Sequence, residues 1–320
     1  MDLRHEIESL ISSCVQCKMC TKVCPSAGKG GMVPHEIMAI GDGDVSTCIM
    51  CGNCNRSCRK TEPMMVMKML RYLQNNGNFG GHYERCGYIM PISDMEVPQP
   101  LWDHNGVSVM SGCVVKGVVP YLEYATSSSL RSMGFTCRPI DNESCCLRPP
   151  VFANIPKKEK VERRKDMMKG ALDDDLICLC TGCSSEMRVI KGNDVDTIEF
   201  LYRNIDRLPK AEKHLKLALE PGCEAAVKID MLRAVVERLG HIDIGNTFGC
   251  CGKDTPVAKE LMKDRQAECR DADAILAVCP KCFSKYDAIE GGKPVIFLME
   301  LVAMAFGDNK TLGCHRIPVL

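Results

Sequence analysis

The sequence predicts a multidomain α+β chain, a helical domain built round two cysteine repeats followed by two pseudo-repeated α/β halves. Three observations carry this. Two runs near the start share the pattern C-x2-C-x2-C-x3-C. From residue 107 onward short apolar runs alternate with helical stretches, the texture of α/β units. Within that region five cysteines recur in the same order in each half.

Taken in order, Leu3, Ile7, Leu10 and Ile11 fall on one face at helical spacing and predict a helix ahead of the first cysteine run. A second helix is expected between the runs. "PMMVMKMLRYL", residues 63–73, opens a third with Pro63 near its start. Its methionines read as gap-filling side chains of a packed helix face. Residues 75–100, rich in Gly, Pro and Asn, read as a linker. Beyond it, "GVSVM" (106–110), "DLICLC" (175–180), "HLKLALE" (214–220) and "AILAVCP" (274–280) predict strands, each ending near a cysteine. "YLEYATSSSLRSMG" and "KIDMLRAVVERLG" predict helices that stop at Gly134 and Gly240, the usual place for a left-handed cap. The expected division is residues 1–80, a linker over 81–104, and two α/β domains over 105–205 and 206–320.

The composition narrows the function. Forty-one basic and 41 acidic residues cancel, so no charge excess points to nucleic acid or an anionic membrane surface. The opening "MDLRHEIESL" has no secretory pattern, and the best apolar run, residues 295–306, is short and interrupted by Glu300. A cytoplasmic location is expected, with any membrane association made through a partner and no direct span. Twenty-three cysteines in 320 such residues point to metal or redox chemistry.

Cys14, Cys17, Cys20 and Cys24, followed by Pro25, form the first run, and Cys48, Cys51, Cys54 and Cys58 the second. This is the spacing by which bacterial ferredoxins wrap thiolates around iron-sulfur cubanes, the fourth cysteine crossing to the neighbouring cluster. Residues 1–80 are therefore expected to be a ferredoxin-like domain with two 4Fe-4S clusters. Cys14, Cys17, Cys20 and Cys58 would hold one cluster, and Cys48, Cys51, Cys54 and Cys24 the other. A pair of zinc sites is the alternative, which duplicated four-cysteine runs fit less well. Arg59 stands where a second proline would follow.

In the remaining chain, Cys113 is followed after 31 residues by Cys145 and Cys146, then after 33 by Cys180 and Cys183. Cys223 is followed after 26 residues by Cys250 and Cys251, then after 27 by Cys279 and Cys282. Each half offers five thiols, one more than a cubane or a zinc ion needs, and those near predicted strand ends sit where open α/β sheets place their ligands. "GCVVKGVVPYLE", "SCCLRPPVF", "CTGC", "GCEAAV", "GCCG", "CPKCF" and "PVIFLMELVAMAFG", in that order, resemble the cysteine-rich CCG-domain family. Within it the chain is most similar to coenzyme B/coenzyme M heterodisulfide reductases, in whose membrane-linked form the ferredoxin-like and the catalytic parts are fused in one chain. Leu147 stands where the family usually has Gly or Pro, and Glu224 where those reductases commonly have His.

The resemblance implies that each five-cysteine set holds a noncubane 4Fe-4S cluster whose irons the adjacent cysteines help to bridge. A small-molecule disulfide would lie between the two clusters, each sulfur captured by an iron. It also implies a redox partner, a flavoprotein or a membrane cytochrome, since no G-x-G-x-x-G follows a strand in this chain. The family includes electron-transfer subunits beside flavoprotein dehydrogenases and thiol:fumarate enzymes, and a cluster-scaffold role is a third reading. Lys116, Arg148, Lys253 and Lys281, next to the cysteine sets, are candidate cations for an anionic disulfide or ordinary surface charges. Of the other cysteines, Cys137 and Cys178 read as core thiols. Cys86, Cys269 and Cys314 have no assigned role, Cys314 beside His315 being a weak ligand pair.

Overall fold

The computed structural model describes residues 2–78, 81–171, 175–192, 196–211, 214–247, 251–252 and 255–319, with only the backbone described at 246 and 247. The chain divides into two compact units. The first comprises Met1–Gly81 together with Leu147–Lys160 and Gly252–Lys263, and the second the rest. Both α/β halves thus belong to one unit, and the chain passes from it to the first unit directly after Cys146 and after Cys251.

The first unit is helical. Its opening helix, Leu3–Ser12, is capped by the Asp2 carboxylate, which accepts from the backbone N–H of Arg4 and His5. Pro34 and Pro63 begin the helices Pro34–Ile40 and Pro63–Gln74, where a missing N–H costs nothing. Leu3, Ile7, Ile37, Met38, Val66, Met67 and Leu70 form the core, which Ala153 of the 147–160 segment joins. Around this core run the two cysteine loops, each leading into a short helix, Met19–Lys22 and Asn53–Ser57.

The second unit contains two small parallel sheets among many helices, the α+β mix expected. The described strands are β1 (Val107–Met110), β2 (Cys137–Pro139), β3 (Leu176–Cys178), β4 (Lys216–Glu220), β5 (Ile242–Thr247), β6 (Ala274–Ala277) and β7 (Val295–Phe297). The sheets have the orders β2-β1-β3 and β5-β4-β6-β7. In the first, Val107 lies opposite Cys137 and Val109 opposite Ile177; in the second, Leu217 lies opposite Ala274 and Leu276 opposite Ile296. The repeat is therefore topological as well as sequential. β1 and β4 are the first strands of their halves, flanked by β2 and β3 and by β5 and β6, and β7 extends only the second sheet.

The halves join through the helices Tyr121–Ser132 and Leu298–Ala305, which pack together. The run "ATSSS" lets them approach closely. Ser129 donates to the Met299 carbonyl at 2.6 Å, and Tyr124 and Ser128 both donate to the Asp308 carboxylate. Within the residues read as a linker, the backbone carbonyl of Gly87 accepts from Cys145 N–H at 2.9 Å, and the Tyr88 hydroxyl donates to the Glu143 carbonyl at 2.9 Å. That segment pins the approach to the first cysteine pair.

Candidate functional site

The two cysteine runs near the start have matching backbones. Gln16 and Lys18, either side of Cys17, take φ of 51° and 62°; Met50 and Gly52, either side of Cys51, take 53° and 79°. Left-handed backbone at three non-glycine residues is strain of a kind that folds hold at functional sites. The consequence is that each loop curls its sulfurs inward. Cys14, Cys17, Cys20 and Cys58 line one cavity of about 360 Å³, with Lys18, His35, Arg59 and Lys60 also on its wall. Cys24, Cys48, Cys51 and Cys54 line a tighter one of about 20 Å³, otherwise walled by uncharged side chains that include Met32, Met50, Met64 and Met67.

Burial, and then the neighbouring Cys48, Cys51 and Cys24, push the Cys54 thiol up to about 12. Four thiols crowded beside methionines, with Arg71 the cation nearest Cys48, are a donor set that suits an electron-deficient metal core that takes them as thiolates. Among the described residues no three His, Cys, Asp or Glu side chains are arranged to hold a single metal ion. Four sulfurs spread round a wall as wide as that of the first cavity suit an inorganic core of several atoms. Arg71, which sequence reasoning passed over, holds the second loop by donating to the Val45 carbonyl and, at 2.9 Å each, to those of Ser46 and Cys48.

Six of the other ten candidate cysteines follow from the parallel sheets. β1 and β4 lead into Gly112-Cys113 and Gly222-Cys223; β3 and β6 lead into Cys180 and Cys279, which cap the helices Thr181–Lys191 and Pro280–Tyr286 with nearly the same backbone, φ/ψ −97°/122° and −91°/123°. Cys183 and Cys282 follow in the first helical turn. A Cβ at Gly112 would stand 3.0 Å from the Cys183 sulfur, and one at Gly222 3.1 Å from the Cys279 Cβ. Only glycine lets each strand end approach its C-x-x-C turn.

The thiols form one connected array. Cys145 hydrogen bonds to Cys113 and Cys146, and Cys183 to Cys146 and Cys180. Cys180 bonds to Cys279, Cys279 to Cys282, and Cys282 to Cys251. The contact of Cys180 with Cys279 joins the two sets. Hydrogen bonds from Cys180 and Cys282 hold the Cys279 thiol well below its ordinary value, making it the acceptor at the middle of the array. Cys223 turns its thiol to the Glu224 carboxylate at 3.9 Å. Cys250 and Lys253 lie outside the described residues.

Two carboxylates behind the array, Glu220 buried and Glu143 half-buried, were not singled out from sequence. Glu143 accepts from the N–H groups of Ser111 and Gly112 at 3.0 and 2.6 Å, and Glu220 from Gly222 N–H at 3.1 Å and the Tyr286 hydroxyl at 2.8 Å. Burial pushes Glu143 up to about 7 and Glu220 up to about 8. Each thus fixes the glycine that precedes the first cysteine of its half. A charged residue ending the apolar run "HLKLALE" was the available signal for Glu220.

Of the candidate cations, Lys116 is engaged by Glu123 at 2.6 Å. Lys281 lies between Cys279 and Cys282, and Arg148 belongs to the 147–160 segment of the first unit. Cys137, Cys178 and Cys269 are buried core thiols, and Cys86 donates to the His82 carbonyl at 3.2 Å. His315 Nε2 is engaged by Glu300, 2.9 Å away, and the ring packs against those of Tyr121 and Phe283.

Comparison with known proteins adds to this geometry. No family model matches the chain. The B-type subunit of the fumarate reductase (CoM/CoB) of Methanothermobacter marburgensis is 22% identical over 95% of the chain, which spans 63% of that relative's length. The B-type subunit of the ferredoxin/F420H2-dependent CoB-CoM heterodisulfide reductase of Methanosarcina acetivorans is 24% identical over 63% of the chain and 89% of its own length. The C-type subunit of a ferredoxin:CoB-CoM heterodisulfide reductase from the same organism is 28% identical over 35% of the chain and 46% of its own. The chain resembles the B-type and C-type subunits of heterodisulfide reductases. Matches to both types agree with the fused, heterodisulfide reductase-like order of motifs. No described helix is long and apolar enough to cross a membrane.

Proposed function

We propose that the chain is the iron-sulfur subunit of a heterodisulfide reductase-type oxidoreductase, interconverting a small-molecule disulfide and two thiols. Cys14, Cys17, Cys20 and Cys58 would hold one cubane, and Cys24, Cys48, Cys51 and Cys54 the other. Cys113, Cys145, Cys146, Cys180 and Cys183, and Cys223, Cys250, Cys251, Cys279 and Cys282, would hold two noncubane 4Fe-4S clusters. When bound, such clusters supply single electrons and iron sites that accept sulfur.

The observation that carries this reading is the contact of Cys180 with Cys279. Reduction of a disulfide takes two electrons and two protons and separates two sulfurs. A site assembled from two matched thiol sets in contact supplies one set for each sulfur. The residues behind it keep the halves in register: Glu143 and Glu220 hold the two Gly-Cys turns, and Arg164 donates to the Cys146 carbonyl at 2.8 Å.

A second reading, an electron-transfer subunit working beside a flavoprotein, is favoured by the similarity to a fumarate reductase (CoM/CoB) subunit over 95% of the chain. In either reading a protein partner completes the enzyme. The test is iron and acid-labile sulfide per chain after anaerobic purification, then turnover of the coenzyme M/coenzyme B heterodisulfide with a viologen donor. About 16 irons is expected for four filled 4Fe-4S sites, together with disulfide cleavage by the chain alone. About 8 irons, the content of two cubanes only, overturns the assignment of the ten later cysteines. Full iron with turnover only after a flavoprotein is added selects the second reading.

A further inference from the structure

The two cavities of the first unit differ in what they present to solvent. None of the residues lining the larger one is acidic. Lys18, Arg59 and Lys60 stand on its wall, and Lys22 follows on the short helix Met19–Lys22. All four are exposed, and none has a side-chain ion pair or hydrogen bond among the described residues. Cys17 is itself exposed, and Val15 and Met19 beside it are 62% and 41% exposed apolar side chains. The smaller cavity has no charged lining residue; Ile49, Met50, Cys51 and Met67 on its wall are all buried.

We infer that the Cys14–Cys20 loop and the Cys58–Lys60 segment form the docking surface for an acidic one-electron carrier protein, with electrons received at the larger cavity and passed inward to the smaller. This rests on the cubane reading of those eight cysteines. An exposed apolar centre ringed by unpaired cations is the complement of a carrier whose own redox centre is ringed by carboxylates. Apolar contact desolvates the meeting point, while the charges raise the encounter rate, an effect on the order of 10- to 1,000-fold at low salt. In the transfer the reduced carrier loses one electron and the oxidised chain gains it. No bond is made or broken and no proton moves. None of the residues lining the smaller cavity is exposed, whereas Cys17 and the cations of the larger one are, which makes the smaller the inner relay.

The test uses the iron-loaded full chain and two reduced donors, a small acidic ferredoxin and the methyl viologen radical cation. Stopped-flow absorbance gives the second-order rate of chain reduction for each as salt is raised, for the wild type and for Lys18→Glu/Lys22→Glu/Lys60→Glu. Iron content and the electron paramagnetic resonance of the reduced protein are measured alongside. The ferredoxin rate in the wild type should fall at least tenfold between low and high salt, as screening removes steering. The triple variant should lower the ferredoxin-to-viologen rate ratio at least tenfold at low salt and lose the salt dependence. An unchanged ratio overturns the docking surface, as does an equal slowing with both donors, which would mean that the cations act on the cluster. A wild type without cubane resonance overturns the cubane reading, a failure seen before any rate is measured.

Discussion

Gly112 is the position where a single methyl group tests the geometry of the thiol array. Its backbone, φ 81° and ψ 166°, lies in a region that only glycine enters readily. Any side chain there stores about 1–3 kcal/mol of strain. The added Cβ of Gly112→Ala would also meet the Cys183 sulfur at 3.0 Å and the Cys180 Cβ at 3.4 Å. Both neighbours sit in a packed turn, so overpacking adds about 1–3 kcal/mol. The sum, about 4 kcal/mol, is on the order of a 10 °C fall in the melting temperature. Gly307→Ala is the control: φ is +85° there but nothing lies within 4 Å of the new methyl group, so it should cost only about 1–2 kcal/mol of backbone strain. Anaerobic thermal unfolding and iron analysis give the readouts. Gly112→Ala should lose the iron of the later sites and keep that of the two cubanes, and Gly222→Ala, its counterpart, should behave alike. A Gly112→Ala protein as stable as Gly307→Ala, with its full iron, would refute the close approach of the Gly-Cys turn to the C-x-x-C turn.

Other substitutions probe the surrounding scaffold. His241 is buried and accepts Leu215 N–H at 3.2 Å, and burial lowers its pKa to about 4 from an ordinary 6.5. Its contribution is present above pH 6.5 and lost as the pH falls through about 4. Urea unfolding should therefore give about 3 kcal/mol less stability near pH 4 than near pH 7 from this group, a loss that His241→Asn removes. Lys228, buried between Asp196 and Glu199, should cost about 3–5 kcal/mol when changed to Ala, because Arg188 is left to balance both carboxylates. The same unfolding curves check it. Arg71→Ala removes three backbone carbonyl contacts from the second cysteine loop and should cost about 3 kcal/mol. Iron analysis should then find the cluster of that loop depleted.

The strands legible in the sequence were those buried on both faces, β1, β3, β4 and β6, because a run such as "AILA" has no other reading beside a glycine or cysteine turn. β2 ends in Pro139 and β5 reads "IDIGNT", and both are edge strands whose sequences carry no apolar run. β7 lay hidden for the opposite reason. It passes at Phe297 straight into Leu298–Ala305, a helix buried along most of its length, so the apolar run from 295 to 306 shows no change of period where the strand ends. Glu143 was invisible because its partners are backbone N–H groups that the fold brings to it, and for Glu220 only the charge ending its apolar run was legible, not the Gly222 N–H and Tyr286 hydroxyl it accepts from.

The resemblance marks the adjacent cysteines as candidate ligands, but their conformation was not legible. In a regular strand two successive side chains point to opposite faces, so only one of a pair could reach a common site. Cys145 and Cys146 both join the array, through Cys113 and Cys183 respectively, and the chain there is irregular. The residue after the pair turns left-handed: Leu147 has φ 58° and Gly252, after Cys251, has φ 78°. Leu147 therefore departs from the CCG pattern in residue type while keeping its backbone, at a cost of about 1–2 kcal/mol. At Gly252 the exchange is closed, because a Cβ would stand 2.5 Å from the Ala258 Cα. The glycine of a CCG motif thus meets two separable demands, a left-handed turn and a close backbone approach. The first half of this chain imposes the turn on a leucine, and the second adds an approach that only glycine satisfies.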